Sequence, residues 1–190
     1  TRRDWRNRNI IKSGLKTKWL TLSVENKGNY KEKIDKIKVS NKNWLEDHLQ
    51  TLEYTYKKYP YFNLVKELLL KNLNKNELFL SKINQKSIIA ISKFLGIKTN
   101  FYNSTDDDLF NKNYIDASTR LAQICKLRKA DIYVSGPSAK KYLNLNKFNS
   151  QNIEVKWFNY NITGQVKVEN LSIIHMLMQY GNNREKILNL

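Results

Sequence analysis

Within its first nine residues the chain sets four guanidinium groups and two carboxamides around one indole ring: Arg2, Arg3, Asp4, Trp5, Arg6, Asn7, Arg8 and Asn9. Arginine forks recognise phosphate or carboxylate, asparagine adds hydrogen-bond specificity, and tryptophan offers a stacking face for a base or sugar. Standing alone, such a segment also reads as a frayed basic terminus. A second anion-directed pattern is Ser135-Gly136-Pro137-Ser138, followed by Lys140 and Lys141. Small residues let the backbone approach a ligand, amides at a helix start point outward, and a lysine neutralises a phosphate. Plain capping accounts for the same four residues, with Pro137 near the first helical position and Ser135 or Ser138 as the cap. Capping is the simpler reading of these four residues, and their expected place at the carboxyl end of a strand strengthens the case for ligand binding, because parallel α/β sheets hold ligands there.

The remaining chemistry-bearing residues give weaker signals. Ser104, Asp106, Asp107 and Asp108 form an acidic loop that could hold Mg²⁺ or orient an amine, and a solvated loop is the commoner use of such a run. Arg120 either clamps an anion or pairs with these acids, and pairing is the simpler reading. His48 and His175 fall on apolar helical faces and read as satisfied, partly buried histidines. Cys125 shares a stripe with Leu121 and Ile124 and reads as core. There is no Walker loop, dinucleotide glycine fingerprint, nucleophile elbow or zinc motif in the sequence.

The elements that must position these residues follow from periodicity and turn residues. Lys18 to Val24 alternates as a strand, a turn follows at Asn26 to Asn29, and Ile34 to Val39 is a second short strand. A helical subregion spans residues 41–95. Its first helix carries Trp44, Leu45, His48, Leu49, Leu52 and Tyr56 after a cap at Ser40 or Asn41 and stops before Pro60. Its second is capped by Asn63, and its third opens at Ser81 or earlier and closes at Gly96. Strands are then expected at Lys98 to Tyr102, Asp131 to Val134 and Ile153 to Phe158, with weak strand character at Gln165 to Val168. Helices are expected at Tyr114 to Lys129, through Leu143, and from Leu171 to Gln179. Strands alternating with helices imply α/β class, with a mostly parallel sheet and flanking helices in a Rossmann-like three-layer arrangement.

Composition bounds the functional classes. The chain has 190 residues, 41% of them hydrophobic, and only 6 Gly and 2 Pro, which excludes disordered and collagen-like chains and fits one domain. Thirty-four Lys and Arg against 17 acids leave a net charge of +17. The excess is mostly lysine scattered among Asn, Ile and Tyr, the palette of an AT-rich coding sequence, so nucleic acid is expected to bind weakly and by charge alone. A single cysteine forbids an intramolecular disulfide and fits a reducing cytoplasm. Apolar runs fall well short of the roughly 20 residues that span a bilayer, so no membrane insertion is expected.

The run Thr1-Arg2-Arg3-Asp4-Trp5-Arg6-Asn7-Arg8-Asn9-Ile10-Ile11-Lys12 resembles the signature of the WbqC-like family, bacterial proteins found in O-antigen and other surface-polysaccharide gene clusters. Further resemblances follow in order: Trp19-Leu20-Thr21; Trp44, His48, Tyr56 and Pro60-Tyr61-Phe62; Leu95-Gly96-Ile97-Lys98-Thr99; Ser118 to Leu121 with Ile124-Cys125; Ala130 to Ser138; and Asn170 to Ile174. The family opens with a strand and a Gln-Pro-x-Tyr-Leu-Pro-Trp type motif that is absent here. The expectation is therefore a single domain over residues 1–190 that lacks its N-terminal segment, with an exposed strand edge and no competence as an enzyme by itself. His175 stands where the family usually has aspartate.

The resemblance implies a cytoplasmic transferase that moves glycine or a similar aminoacyl group onto the amine of a nucleotide-linked amino sugar. Its substrate-binding residues would be Arg3, Asp4, Trp5, Asn7, Arg8, Asn9, Arg120, Ser135, Gly136, Pro137, Ser138 and Lys140, with no cofactor and no metal. If the donor were aminoacyl-tRNA, the positive charge would have a use. The alternatives are a nucleotidyl-transferase-like enzyme that binds a nucleotide at the strand-end cleft and a non-catalytic binding module. An oligomer is compatible with all three.

Overall fold

The computed structural model describes residues 5–25, 32–103, 116–158 and 171–188. They divide into two compact units, one within Thr1–Thr99 and Gln165–Leu190 and the other within Asn100–Gly164.

The first unit begins with a hairpin. Strand β1 (Arg8–Ser13) pairs antiparallel with β2 (Lys16–Thr21), Arg8 opposite Thr21 and Ser13 opposite Lys16. Two residues connect them, and Gly14, the first of the pair, has φ +61°, as two-residue hairpin loops with glycine first require. The other edge of β1 is partly used as well. Leu171 bridges Ile10 in parallel, and the Ser172 N–H donates to the Ile10 carbonyl at 2.7 Å. The Lys12 N–H donates to the phenolic oxygen of Tyr56 at 3.0 Å. Beyond β2, single bridges tie Val24 to Val39 and Lys38 to Phe79. The expected strand over Ile34 to Val39 is thus a 3-10 turn, Ile34–Lys36, followed by isolated bridges.

Helices α1 (Trp44–Tyr56), α2 (Phe62–Asn72) and α3 (Leu80–Phe94) lie in the region the apolar periodicity marks as helical. Their caps differ from expectation. Asn43 precedes α1, while Asn41 organises the approach: its Oδ1 accepts the Asn43 N–H and its amide donates to Asp47. Tyr61 precedes α2, which puts Asn63 inside the helix, and Phe79 precedes α3 with no side-chain cap. Helix α6 (Ile173–Tyr180) is capped by Ser172 and closes at Gly181; a short α7 (Arg184–Leu188) follows. Helices α4 (Ala117–Leu127) and α5 (Asn146–Asn149) belong to the second unit. Burying Ile11, Tyr56, Phe62, Val65, Leu177 and Met178 in one cluster fastens β1 to α1, α2 and α6. A second cluster of Leu22, Val39, Trp44, Leu45, Leu80 and Ile83 joins the end of the hairpin to α1 and α3. At roughly 1.5–3 kcal/mol for each large apolar side chain removed from water, these clusters hold the hairpin against the helices.

In the second unit α4 (Ala117–Leu127) is capped by Asp116, whose carboxylate accepts the Thr119 N–H at 2.8 Å and the Thr119 hydroxyl at 2.7 Å. Strand β3 (Ile132–Ser135) runs parallel to β4 (Glu154–Trp157), joined through the 3-10 segment Pro137–Lys141 and α5 (Asn146–Asn149). Ala122, Cys125, Leu143, Phe148 and Ile153 form its core. Cys125 is therefore a core residue, and burial pushes its thiol pKa up.

The protein is of mixed α/β class. Among the described residues the strands form two separate pairs, one antiparallel and one parallel, where the sequence pattern implies a single, mostly parallel sheet in a three-layer arrangement. The expected strand Lys98 to Tyr102 is irregular chain; Arg128 stacks on Tyr102 at 3.8 Å from the ring centre. The expected strand Gln165 to Val168 lies outside the described residues.

Candidate functional site

A cavity of about 260 Å³ opens in the first unit between the start of the hairpin, α1, α3 and the beginning of α6. Leu45, Leu49, Leu52, Ile83 and Ile91 make its walls apolar, while its polar groups come from Trp5 to Asn9, His48, Asn84, Ser87 and Ser172. Its lining is mainly apolar with a few polar groups, the composition by which ligand sites are recognised, although its volume is smaller than most of them.

The Arg/Asn segment separates into distinct roles. Asn7 is buried; its amide donates to the Leu22 carbonyl at 3.0 Å, and its own carbonyl accepts the Leu22 N–H at 2.7 Å. It fastens the segment to the end of β2. The Asn84 amide donates to the Arg6 carbonyl at 2.8 Å and so holds the same segment to α3. Asn9 is exposed and its Oδ1 accepts the Ile10 N–H. Trp5 is 82% exposed, so its ring is no part of the core.

Arg6 and Arg8 both line the cavity, and Arg8 lies at the start of β1. The Arg8 guanidinium lies 3.9 Å from the centre of the Trp19 ring, and its Nε is buried without a hydrogen-bond partner. Stacking on tryptophan contributes about 0.5–1 kcal/mol and fixes the plane of the fork. A buried donor left unmatched costs about 1–3 kcal/mol.

His48 borders the cavity from α1. Its Nδ1 lies 2.8 Å from the carbonyl oxygen of Trp44, one turn earlier, so Nδ1 carries the proton and donates it, leaving Nε2 as an acceptor. Burial holds the imidazole pKa below its usual range; the bond to the Trp44 carbonyl and the Asp47 carboxylate oppose this without reversing it. His175 sits elsewhere. It is 8% exposed, its ring rests against Tyr56 and Tyr59 at 5.8 Å from each, and its Nδ1 has no partner.

Of the residues singled out from sequence, Trp5, Asn7, Arg8 and Asn9 line this one cavity; Arg3 and Asp4 lie outside the described residues. Ser135, Gly136, Pro137, Ser138, Lys140 and Arg120 belong to the second unit. There the turn follows the carboxyl end of β3, Gly136 precedes the 3-10 segment without any side-chain cap, and Gly136, Pro137 and Ser138 are exposed. Lys140 reaches over the Trp157 ring at 5.5 Å, and Arg120 is exposed in the first turns of α4. The acidic loop at 104–108 lies outside the described residues. Asn84, Ser87 and Ser172 also line the cavity and have no sequence pattern that marks them, while His48, which the sequence reads as a partly buried histidine, lines it too.

Among the described residues no group of three or more His, Cys, Asp or Glu side chains could hold a metal ion, and no helix is long and apolar enough to cross a membrane.

Fold and cavity together describe a mixed α/β protein with an arginine-bordered, mainly apolar cavity at its hairpin. The chain belongs to the WbqC-like protein family, whose model matches residues 1–187. It is 36% identical over 162 residues to the uncharacterized protein Rv1507c of Mycobacterium tuberculosis (strain ATCC 25618 / H37Rv), covering 84% of this chain and 68% of that protein. No solved structure matches it significantly.

Proposed function

We propose that the chain belongs to a transferase of bacterial surface-polysaccharide biosynthesis, which moves glycine or a similar aminoacyl group onto the amine of a nucleotide-linked amino sugar. The observation that carries this reading is the mainly apolar cavity at the hairpin, lined by Trp5, Asn7, Arg8 and Asn9, with the Arg8 guanidinium stacked on Trp19 of the neighbouring strand. Such a clamp suits an anionic group attached to a compact body, and the exposed Trp5 supplies a face for a sugar or base. Membership of the WbqC-like family supports the choice of reaction.

The Ser135–Ser138 turn, with Lys140 and Arg120, is proposed as an anion-binding surface of the second unit. Residues 1–190 are proposed to form one functional domain of a cytoplasmic protein. The test is direct. Full-length protein is incubated with UDP-linked amino sugars and a glycyl donor, and products are read by mass spectrometry. A gain of one glycyl residue on the sugar is expected, and a sugar of unchanged mass with every donor would refute the reaction. Transfer of a nucleotidyl group instead would favour the nucleotidyl-transferase alternative.

A further inference from the structure

We propose that His48 is the catalytic proton acceptor of this cavity, taking through Nε2 the proton that the attacking amine sheds. This rests on the transferase reading for its substrate class. The argument from geometry is one of position and exclusion. Among the described residues lining the cavity there is no carboxylate, and His48 is the one side chain whose ordinary titration falls near neutral pH. Its ring is fixed on both counts that matter to a base. The Nδ1–H bond to the Trp44 carbonyl selects the tautomer with an open Nε2, and an edge-to-face contact with the Trp44 indole at 6.1 Å sets the ring plane.

The surroundings keep the ring neutral and ready. The charged groups near it are Arg6 and Arg8 from the opening of the chain, Lys18 from β2, and Asp47 on its own helix. Among the described residues, the polar groups that α3 and the start of α6 contribute to the lining, Asn84, Ser87 and Ser172, are uncharged. Burial outweighs the Asp47 carboxylate, so the imidazole is unprotonated at neutral pH. His175 is no rival, since it packs between Tyr56 and Tyr59 and does not line the cavity.

In the step itself, the lone pair of the sugar's amine nitrogen forms the C–N bond to the carbonyl carbon of an activated aminoacyl ester. The C–O bond breaks with its electron pair on the ester oxygen. The proton shed by nitrogen passes to Nε2 and from there to that oxygen, so the products are an amide and an alcohol and the imidazole ends neutral.

The experiment uses the full-length protein with ¹⁵N-labelled histidine, titrated by NMR with and without UDP-glucosamine, beside the variants His48→Asn and His48→Gln. The expected result is a His48 ring protonated on Nδ1, titrating below the ordinary value of about 6.5 and shifting when UDP-glucosamine is added. Both variants should keep the wild-type melting temperature and lose glycyl transfer by on the order of 10²–10⁴-fold. A ring protonated on Nε2, a ring indifferent to saturating UDP-glucosamine, or a variant that transfers as fast as wild type would each overturn the proposal. Should the wild-type protein transfer no glycyl group, the transferase reading fails by itself, and the NMR titration with the amino sugar still decides for or against His48.

Discussion

The phenolic oxygen of Tyr56 accepts the backbone N–H of Lys12 at 3.0 Å, so the last turn of α1 hydrogen-bonds the edge of β1. Tyr56 is fully buried, and burial pushes its pKa up to about 12, which keeps the hydroxyl protonated at any working pH. The bond couples the helix that carries His48 to the strand that carries Arg8. Tyr56→Phe keeps the ring in the core and leaves the Lys12 N–H unmatched. Its expected cost is about 1–2 kcal/mol in chemical denaturation, with little change in ligand affinity. An unchanged midpoint would mean that Lys12 finds another partner.

Asn7 and Arg8 are neighbours in sequence and should fail differently. Asn7→Ala removes a buried amide that holds the Leu22 carbonyl, so it should lower stability by about 1–2 kcal/mol. The measurement is a thermal or denaturant melt beside that of Arg8→Ala. Equal losses from both would contradict the division of roles.

Gly181 closes α6 with φ +61°, and a Cβ there would lie 2.7 Å from the Tyr61 ring. Gly181→Ala should therefore destabilise by about 1–3 kcal/mol through backbone strain and overlap together. The overlap can be isolated in a double-mutant cycle with Tyr61→Ala, in which part of the cost should vanish. Strict additivity would show that the ring swings aside freely.

The pKa of His175 is held down by burial first and by the Lys12 charge second. A histidine with a depressed folded pKa binds its proton more readily when unfolded. Its effect on stability is therefore absent above about pH 6.5 and becomes a penalty as pH falls through that value toward the folded pKa. The melting temperature of wild type should drop between roughly pH 6.5 and 5, and less steeply in His175→Phe, with His48 contributing the remaining slope in the same direction. Parallel curves for the two proteins would remove His175 as a source of acid sensitivity.

The three long helices were legible because Leu45, Leu49, Leu52 and Tyr56, or Val65 and Leu69, repeat at helical spacing regardless of what they pack against. Strand β1 was not. Its sequence, Arg8 to Ser13, is polar at both ends with two adjacent isoleucines, and it is a strand because β2, Leu171 and Tyr56 use its backbone groups. The reverse error fell on Lys98 to Tyr102, where residues of good strand propensity have no strand beside them among the described residues. Trp5, Asn7, Arg8 and Asn9, singled out by their types, line one cavity. His48 resembled an ordinary residue of an apolar helical face, and its significance comes from the cavity that α1, α3 and the hairpin enclose, which no local pattern encodes.

Binding of UDP-linked amino sugar to full-length wild type and to Arg8→Ala, by calorimetry with parallel melting curves, tests the central claim most directly. A cavity whose anion clamp is Arg8 predicts at least about a tenfold loss of affinity, roughly 1.4 kcal/mol, with a melting temperature that stays close to wild type. Wild-type affinity in Arg8→Ala, or a loss of affinity matched by loss of the fold, would contradict the assignment of this cavity as the sugar-binding site.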